Sequence, residues 1–283
     1  MPKKIDIVQN KFHYGFYSSS SFNDALSNKH FHEHYEIIFV SSGVGRLIVE
    51  GDEYPIKPGS LVLIPPFKYH HIYIDNEATS YDRHIIHFPI DYLATDGQKI
   101  LNVLFADENI SCRFYHSHSI GSNIISLFDR FEEAAKMPDR QQLSYTALIV
   151  SELMVLLSLT DSGDMPRSSL ELGARVMRFL NENIDKDLSL DSISRHFFVS
   201  KYYLCRAFKR HNGISIHGYV NQKRVINAKH LIDSGESASV AAYKVGFGDY
   251  SAFFRAYVKI VGTSPTAQTT RKGQSSSDDR KDR

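Results

Sequence analysis

The sequence predicts an α+β multidomain protein with an N-terminal β-barrel, a helical linker and an all-α C-terminal domain. Short β-branched and aromatic runs separated by turn residues fill residues 1–110, and helical periodicity replaces them further along. The charge changes sign as well. Residues 1–167 contain 14 basic and 21 acidic side chains, a net charge of −7, whereas residues 168–272 contain 16 and 8, a net charge of +8. The C-terminal part is therefore the one expected to meet a polyanion.

The composition is that of a globular protein, with 42% hydrophobic and 23% charged residues in a chain of 283. The two cysteines, Cys112 and Cys205, lack C-x-x-C spacing, which predicts reduced thiols and no thiolate metal site. The N-terminus has no apolar signal segment, and the most apolar run, residues 147–159, is shorter than the about 20 residues that span a bilayer. We therefore expect a cytoplasmic protein without a membrane partner.

The first predicted domain, residues 1–110, is a β-barrel or sandwich. Runs such as EIIFVSS, RLIVE, SLVLIPP and HHIYI alternate with turn formers such as SSGVG and KPGS. Their spacing of about 8–12 residues favours a barrel or sandwich over repeated β-α-β units.

Residues 111–162 are predicted to be a helical linker, and residues 163–170 a polar connection containing Gly and Pro. The helical pattern breaks near Met137-Pro138. The apolar face of these helices suits either a lid on the barrel or a dimer surface, and the sequence leaves both open. Residues 271–283 are predicted to be a disordered tail.

Residues 171–270 contain one pattern twice. In the first copy, Ser189 is placed to cap a short helix, and Ser200 to cap the helix KYYLCRAFKRH, which ends at Gly213. The second copy begins near Ser239, and Asp249 is placed to cap YSAFFRAYVKIVG. Inward positions are predicted at the residues that share an apolar face, namely Leu204, Ala207, Phe208, Phe253, Phe254 and Tyr257.

A short helix, a tight turn and a capped basic helix are the parts of a helix-turn-helix unit. The long helix predicted over residues 218–232 would hold the two units at a fixed spacing. Two such helices can reach consecutive major-groove segments, which lie about 34 Å apart on one face of DNA.

The stretch VGFGDYSAFFR with a closing GTSP, and SKYYLCRAFK in the first unit, resemble the DNA-binding domain of the AraC/XylS family of transcription regulators. The resemblance covers about 100 residues and implies a double helix-turn-helix. It also implies base-facing positions in both recognition helices. The DNA-binding residues expected on this basis, including two basic neighbours, are Lys201, Tyr202, Cys205, Arg206, Lys209, Tyr250, Ser251 and Arg255. Ala238 and Ala241 replace the bulkier aliphatic residues usual in the family, which predicts a lightly packed core in the second helix-turn-helix unit.

A histidine-rich segment precedes the first strong strand. If it is extended, His30, His32 and Glu36 share one face with His34, and His70 follows later in PPFKYHH. The pattern HxH-x3-E-x6-G followed by P-x3-H resembles the cupin barrel and the sensor domain of AraC-type regulators. The expected effector-binding residues are His30, His32, Glu36, His70 and, more weakly, Arg46, with stacking walls from Tyr35, Phe39, Tyr69 and Tyr73.

Three interpretations of this cluster remain open. It can bind a small polar effector of the sugar type, it can hold a divalent metal through His30, His32, Glu36 and His70, or its histidines can be structural. No cofactor is certain, but a divalent metal in the barrel is an option.

The sequence as a whole predicts a DNA-binding transcription regulator that senses a small metabolite. It shows no catalytic motif, so we expect no enzyme activity. Expected partners are promoter DNA, the effector, RNA polymerase and a second copy of the chain. The alternatives are a metal-dependent cupin enzyme with a helical partner domain and a constitutive DNA binder whose barrel only dimerises.

Overall fold

The computed structural model divides the chain into two compact units, Met1–Ser169 and Leu170–Arg283. It describes residues 5–9, 12–19, 32–75, 80–107, 110–163, 167–168 and 171–266. His30 and the predicted tail 271–283 lie outside the described residues. A β-rich first unit and a helical second unit confirm the predicted α+β fold class.

The first unit is built from two antiparallel sheets. The strands are β1 Ile5–Gln9, β2 Phe12–Ser19, β3 Tyr35–Ser42, β4 Gly45–Val49, β5 Asp52–Ile56, β6 Leu61–Ile64, β7 His70–Ile74, β8 Tyr81–Phe88, β9 Arg113–Tyr115 and β10 Arg167–Ser168. One sheet has the order β1-β2-β8-β3-β6-β9 and the other β10-β5-β4-β7. Strands β9 and β10 extend the sheets beyond the predicted barrel boundary at residue 110 and into the predicted connection 163–170.

Alternation along the central strands creates two separate cores, one on each face of the six-stranded sheet. In β3, Ile38 and Val40 pack with apolar residues of the four-stranded sheet. Ile37 and Phe39, one position away, pack with the helices on the opposite face. Because successive side chains of a strand point to opposite faces, Glu36 joins Ile38 on the side that faces the second sheet.

The described residues of the first unit include three α-helices: α1 Thr95–Leu104, α2 Ser122–Ala134 and α3 Asp139–Ser158. Phe131 of α2 is fully buried and stacks on Tyr14 of β2, with ring centroids 4.2 Å apart. The predicted helix break lies between α2 and α3, where Pro138 precedes the first residue of α3. Residues predicted as a helical linker therefore form a layer over the six-stranded sheet and share its core.

Burial shifts the pKa of the His84 imidazole and of the Cys112 thiol in this unit. Nδ1 of the half-buried His84 ring forms a 2.8 Å hydrogen bond with the Tyr14 hydroxyl, and burial lowers the pKa of His84 to about 4. Burial likewise raises the pKa of the Cys112 thiol to about 12. His84 is therefore neutral and Cys112 is protonated near neutral pH.

The second unit contains six helices among its described residues. They are α4 Leu172–Glu182, α5 Leu190–His196, α6 Lys201–Asn212, α7 Ile216–Asp233, α8 Ala238–Lys244 and α9 Tyr250–Val261. Across the described part of the chain, no helix combines the length and hydropathy needed to cross a membrane.

Side-chain caps fix the starts of the helix-turn-helix elements as predicted. Ser189 Oγ accepts a hydrogen bond from the Ser192 amide (3.1 Å), and Ser200 Oγ accepts one from the Tyr203 amide (3.2 Å). Asp249 accepts from two amides at the start of α9, at 3.2 and 2.7 Å. These bonds satisfy donors that a helix leaves unpaired in its first turn. The cap of α8 is Ser237, two residues before the predicted start near Ser239.

The core of the second helix-turn-helix unit is filled from α9. Phe253 and Tyr257 are fully buried against the small residues Ala241 and Ala242 of α8. Phe254 is 38% exposed, so its predicted inward position is wrong. With Phe253 and Tyr257 facing inward, a turn of about 100° per residue carries Phe254 to the flank of the helix.

The two turns use a left-handed residue at equivalent positions. Gly246, with φ of 93°, follows α8, and Phe198, with φ of 54°, follows α5. A Cβ atom on Gly246 would lie 2.7 Å from the Asp185 carbonyl oxygen, so the second turn requires glycine. Phe198 is 94% exposed and adopts a conformation that costs a non-glycine residue about 1–2 kcal/mol.

Candidate effector pocket and nucleic-acid interface

The centre of the first site is the carboxylate of Glu36, which is only 2% exposed in the barrel interior. Three imidazole nitrogens surround it. Nε2 of His70 lies 2.7 Å and Nε2 of His32 lies 2.9 Å from Oε2, and Nε2 of His87 lies 3.2 Å from Oε1. Loop, β3, β7 and β8 residues thus converge on one buried carboxylate.

Two of these rings are oriented by backbone carbonyls. Nδ1 of His32 donates to the His34 carbonyl and Nδ1 of His70 donates to the Lys68 carbonyl, both at 2.9 Å. A carbonyl oxygen only accepts, so both Nδ1 atoms carry hydrogen. In both rings Nε2 is therefore the nitrogen on the side of the Glu36 carboxylate, and Nε2 of His32 is hydrogen-bonded to it at 2.9 Å.

The third ring is oriented through a chain of side chains. Nε2 of His13 donates to Asp6 Oδ1 at 2.8 Å, which leaves the Nδ1 lone pair of His13 to accept from His87 Nδ1 at 3.3 Å. The hydroxyl of Tyr17 lies 3.4 Å from His13 Nε2 at the outer end of this chain. His87 therefore also presents Nε2 to Glu36.

Opposite effects act on the buried pair Glu36 and His70. Burial raises the pKa of the Glu36 carboxyl, but the His70 charge and the imidazole hydrogen bonds lower it by more, to well below its usual range. Burial lowers the pKa of His70, and the Glu36 carboxylate reverses that shift and raises it. Glu36 is therefore ionised near neutral pH.

The structure brings together three of the predicted effector residues, His32, Glu36 and His70, and it does not bring Arg46 to them. Arg46 lies on the outer face of the four-stranded sheet, 3.6 Å from the Glu53 carboxylate and 5.5 Å from the centre of the Tyr73 ring. Its neighbours Leu47 and Val49 point inward, so alternation directs Arg46 outward.

The shared strand face predicted for His32, His34 and Glu36 does not form, because β3 begins only at Tyr35, and His30 lies outside the described residues. His34 contributes its carbonyl to the site instead. Two aromatic residues predicted to line the effector pocket lie instead on the helix side of the sheet. Phe39 stacks on Phe128 with ring centroids 4.5 Å apart, and Tyr35 stacks on Phe88 at 5.6 Å. Tyr73 packs outside with Arg46, and Tyr69 is buried at the start of β7.

His87 and His13 are the site residues that the sequence reasoning missed. The sequence signal for His87 is the strand YDRHIIHF. His84 and His87 are three positions apart in it, so their side chains point to opposite faces of the sheet. The His84 ring, on the same strand, faces Tyr14 on the helix side of the sheet. Ligand atoms of His32, Glu36 and His87 lie within 4.8 Å of one another, so these residues could hold a metal ion.

The second site is formed by the outer faces of α6 and α9. On α6, Lys201, Tyr202, Arg206 and Lys209 are exposed and Cys205 is half-buried, whereas Leu204, Ala207 and Phe208 are buried. Lys201 also pairs with Asp191 of α5 at 2.6 Å. Within the described residues, Arg206 has no ion-pair partner and remains available for a ligand.

On α9, Tyr250, Ser251 and Arg255 are all exposed, and Phe253 and Tyr257 anchor the opposite face. Arg255, like Arg206, has no ion-pair partner in the part of the chain that the structure describes. Each recognition helix thus combines a buried apolar side with an exposed arginine, a residue that can contact guanine in a bidentate way.

Comparisons with known proteins match both units. The model of the AraC-like ligand binding domain matches residues 13–157, and that of a helix-turn-helix domain matches residues 193–271. The chain is 25% identical over 265 residues to the HTH-type transcriptional activator RhaS of Salmonella schwarzengrund (strain CVM19633), covering 84% of this chain and 85% of that one. It is 24% identical over 241 residues to RhaS of Enterobacter sp. (strain 638), with the same coverage.

Among solved structures, an apo variant of ToxT from Vibrio cholerae strain SCE256 matches 93% of this chain and 98% of that chain, at 14% identity and a TM-score of 0.40. The C-terminal domain of AraT, a response regulator from Geobacillus stearothermophilus, matches 38% of this chain and 88% of that one, at 28% identity and a TM-score of 0.34. The ligand-binding model alone spans half of the sequence. The chain therefore belongs to the AraC/XylS family of transcription regulators, with an N-terminal ligand-binding domain and a C-terminal helix-turn-helix domain.

Proposed function

We propose that this regulator binds a specific promoter sequence through α6 and α9 and changes its activity when a small polar metabolite of the sugar class enters the barrel. The observation that carries the proposal is the pair of capped helices, each with an exposed arginine and a buried apolar face. The net charge of +8 over residues 168–272 supports attraction to the phosphate backbone. An effector that prefers one arrangement of the regulator would shift its equilibrium by the difference in affinity.

We expect Arg206→Ala and Arg255→Ala each to weaken binding to the cognate site by about 1–3 kcal/mol and to relax sequence preference, because a bidentate base contact is lost. The cognate site is first obtained by mapping bound genomic fragments. Affinities for that site and for a scrambled duplex are then measured at one fixed salt concentration.

Arg140→Ala is the matched control, because this exposed arginine lies on α3 of the first unit. Its affinity for both duplexes should equal that of the unmodified protein. If a variant loses the same affinity for cognate and scrambled DNA, the substituted arginine contacts a phosphate and not a base. If neither Arg206→Ala nor Arg255→Ala loses affinity, the proposal is contradicted.

The polar lining of the barrel supports a hydroxylated effector. The side chains of His87 and His13 are 23% and 24% exposed, so the cluster has an accessible rim. The Arg83 guanidinium lies 5.7 Å from the centre of the Tyr17 ring beside that rim. Its Nε is buried without a hydrogen-bond partner among the described residues, and an oxygen of a ligand would satisfy it.

A thermal-shift screen of the full chain against sugars and sugar acids at millimolar concentration tests the effector class. We expect at least one compound to raise the unfolding temperature, because binding to the folded state stabilises it. Arg83→Ala should reduce this shift, whereas Arg46→Ala, on the outer sheet face, should leave it unchanged. If no compound stabilises the protein, the barrel is not a sugar sensor and a constitutive DNA binder fits better.

The regulator is further proposed to work as a homodimer in the cytoplasm, where the bacterial chromosome lies, and to activate transcription by contacting RNA polymerase. Leu148, Val155 and Leu159 are exposed along and just beyond α3, at 63%, 45% and 79%, which supports a dimer surface there. The relatives' description as transcriptional activators supports activation. Sedimentation of the full chain measures the first property, and transcription in vitro with purified RNA polymerase measures the second.

A further inference from the structure

We propose that Arg224 is a positioning residue that holds the two helix-turn-helix units together and so determines the spacing of their recognition helices, α6 and α9. The inference rests on the proposed function, because a fixed spacing matters only if both helices bind the same DNA. The contact itself lies within the protein and is measured first without DNA. Its failure is therefore distinguishable from failure of the proposed function.

The guanidinium of Arg224 joins the long helix α7 to the loop that precedes α5. Its Nε donates a hydrogen bond to the Ile184 carbonyl at 2.8 Å, and its Nη2 donates one to the Lys186 carbonyl at 2.6 Å. Both acceptors belong to residues 183–188, which connect α4 with the first helix-turn-helix unit. A planar guanidinium can bind two acceptors at once, whereas the ammonium of lysine is a single point charge.

The turn of the second helix-turn-helix unit lies against the same loop and the same guanidinium. A Cβ atom on Gly246 would lie 2.7 Å from the Asp185 carbonyl oxygen and 2.9 Å from Nη2 of Arg224. Only a residue without a side chain allows the backbone to come so close to both groups. Helix α7, the loop before the first unit and the turn of the second unit thus meet at one arginine, in what we call the Arg224 contact.

Each side of the Arg224 contact continues to a recognition helix. On the first side the loop follows α4, and α4 is bound to the end of α6, where the fully buried Asn212 donates from Nδ2 to the Gly173 carbonyl at 3.1 Å. On the second side, Phe247 follows the turn glycine, and its ring contacts the Phe253 ring of α9 with centroids 5.3 Å apart. A change at the Arg224 contact is therefore expected to alter the position of α6 relative to α9.

Other contacts keep α7 attached when Arg224 is replaced. The Tyr219 hydroxyl donates to Oδ1 of Asn181 on α4, and the Tyr219 ring contacts the Phe208 ring of α6 with centroids 6.0 Å apart. Lys186 is exposed, so water can bind the carbonyl that the guanidinium would leave. We therefore expect Arg224→Ala to fold and to lose only the connection between the two units.

A distance measurement between α6 and α9 tests the Arg224 contact without DNA. Spin labels are attached to Cys205 on α6 and to a cysteine introduced at an exposed position of α9 by Lys259→Cys, while Cys112 is buried. Double electron–electron resonance on the full chain should give one narrow distribution of distances between the labels. Arg224→Ala should broaden this distribution, and an unchanged distribution in the folded variant would overturn the proposal.

Two further variants separate the hydrogen bonds from the charge. Lys223→Ala is the matched control, because it removes the neighbouring cation of α7, whose Nζ lies 5.9 Å from the centre of the Tyr219 ring. It should leave the distribution narrow. Arg224→Lys keeps the charge but not the paired donors, and its distribution should be intermediate in width. If circular dichroism shows that Arg224→Ala is unfolded, Arg224→Lys replaces it, and an unchanged width in that variant would overturn the proposal.

DNA duplexes with altered spacing test the consequence for binding. They carry the mapped cognate site with zero, one or two base pairs inserted between its half-sites, and each insertion rotates the second half-site by about 35°. The unmodified protein should lose affinity steeply with each insertion, whereas Arg224→Ala should lose much less. On the unaltered site we expect Arg224→Ala to bind about 2–30-fold more weakly.

A duplex with one half-site scrambled completes the test. Only one recognition helix finds its bases there, so Arg224→Ala should bind it as tightly as the unmodified protein does. Equal losses of affinity on the complete and the half-scrambled duplex would make Arg224 a DNA contact or a general stabilising residue and overturn the proposal. A dependence on spacing identical to that of the unmodified protein would overturn it as well.

Discussion

Replacing Phe253 with alanine is expected to lower the free energy of unfolding of the helical unit by about 3–5 kcal/mol. The Phe253 ring is fully buried between α7, α8 and α9, and it contacts Phe247 and Tyr257 at centroid distances of 5.3 and 5.4 Å. The residues opposite it on α8 are the alanines Ala241 and Ala242, so the side chains of α8 are too short to fill the cavity. Denaturant unfolding followed by circular dichroism measures the loss.

Phe254→Ala is the matched control, since it removes the same ring from the next position of the same helix. Phe254 is 38% exposed, so we expect its loss to cost much less than that of Phe253. A similar cost for the two variants would mean that the ring of Phe253 is not the anchor of this core. The comparison also tests the alanine-rich α8, since rings from α9 fill the space that larger aliphatic residues of α8 would occupy.

Phe131→Ala is expected to lower the free energy of unfolding of the first unit by a similar amount, about 3–5 kcal/mol. Phe131 is fully buried at the junction of α2 with the six-stranded sheet, where it stacks on Tyr14 and on Phe12 at 4.2 and 6.4 Å. Its removal leaves a cavity between two layers that close-packed aromatic rings now fill. Denaturant unfolding followed by tyrosine fluorescence measures the effect in this tyrosine-rich unit.

Ile125→Ala, on the same helix, is the control, because Ile125 is 42% exposed. We expect a loss well below that of Phe131→Ala. If both variants are equally mild, α2 does not share the core of the sheet and behaves as a separate linker. A large loss at Phe131 alone supports a single cooperative unit of sheets and helices.

In the helical half, the starts of α5, α6 and α9 could be predicted from the sequence because their determinants are local. Ser189, Ser200 and Asp249 cap helices within three residues of themselves, and glycines end α6 and α9 in the left-handed region. The inward position of Phe254 was wrong because α9 turns by about 100° per residue. With Phe253 and Tyr257 in the core, this turn places Phe254 at the exposed edge of the helix.

The barrel site could be predicted only in part, because its contacts are not local in sequence. His32, Glu36 and His70 follow a recognisable spacing, but the contact between His13 and His87 joins residues 74 positions apart. It depends on the pairing of β2 with β8, which no spacing in the sequence reveals. Arg46 was misplaced for the related reason that strand register decides which face a side chain occupies.

The contrast between the two cysteines has a practical consequence. Cys112 is buried with a pKa of about 12, so it resists thiol reagents, while Cys205 is half-buried on α6 beside Arg206. A maleimide dye added to the unmodified protein would therefore label the first recognition helix selectively. Because Cys205 is among the residues predicted to contact DNA, the rate of its labelling should fall when DNA covers α6. The unmodified chain thus contains a footprinting probe for the proposed interface.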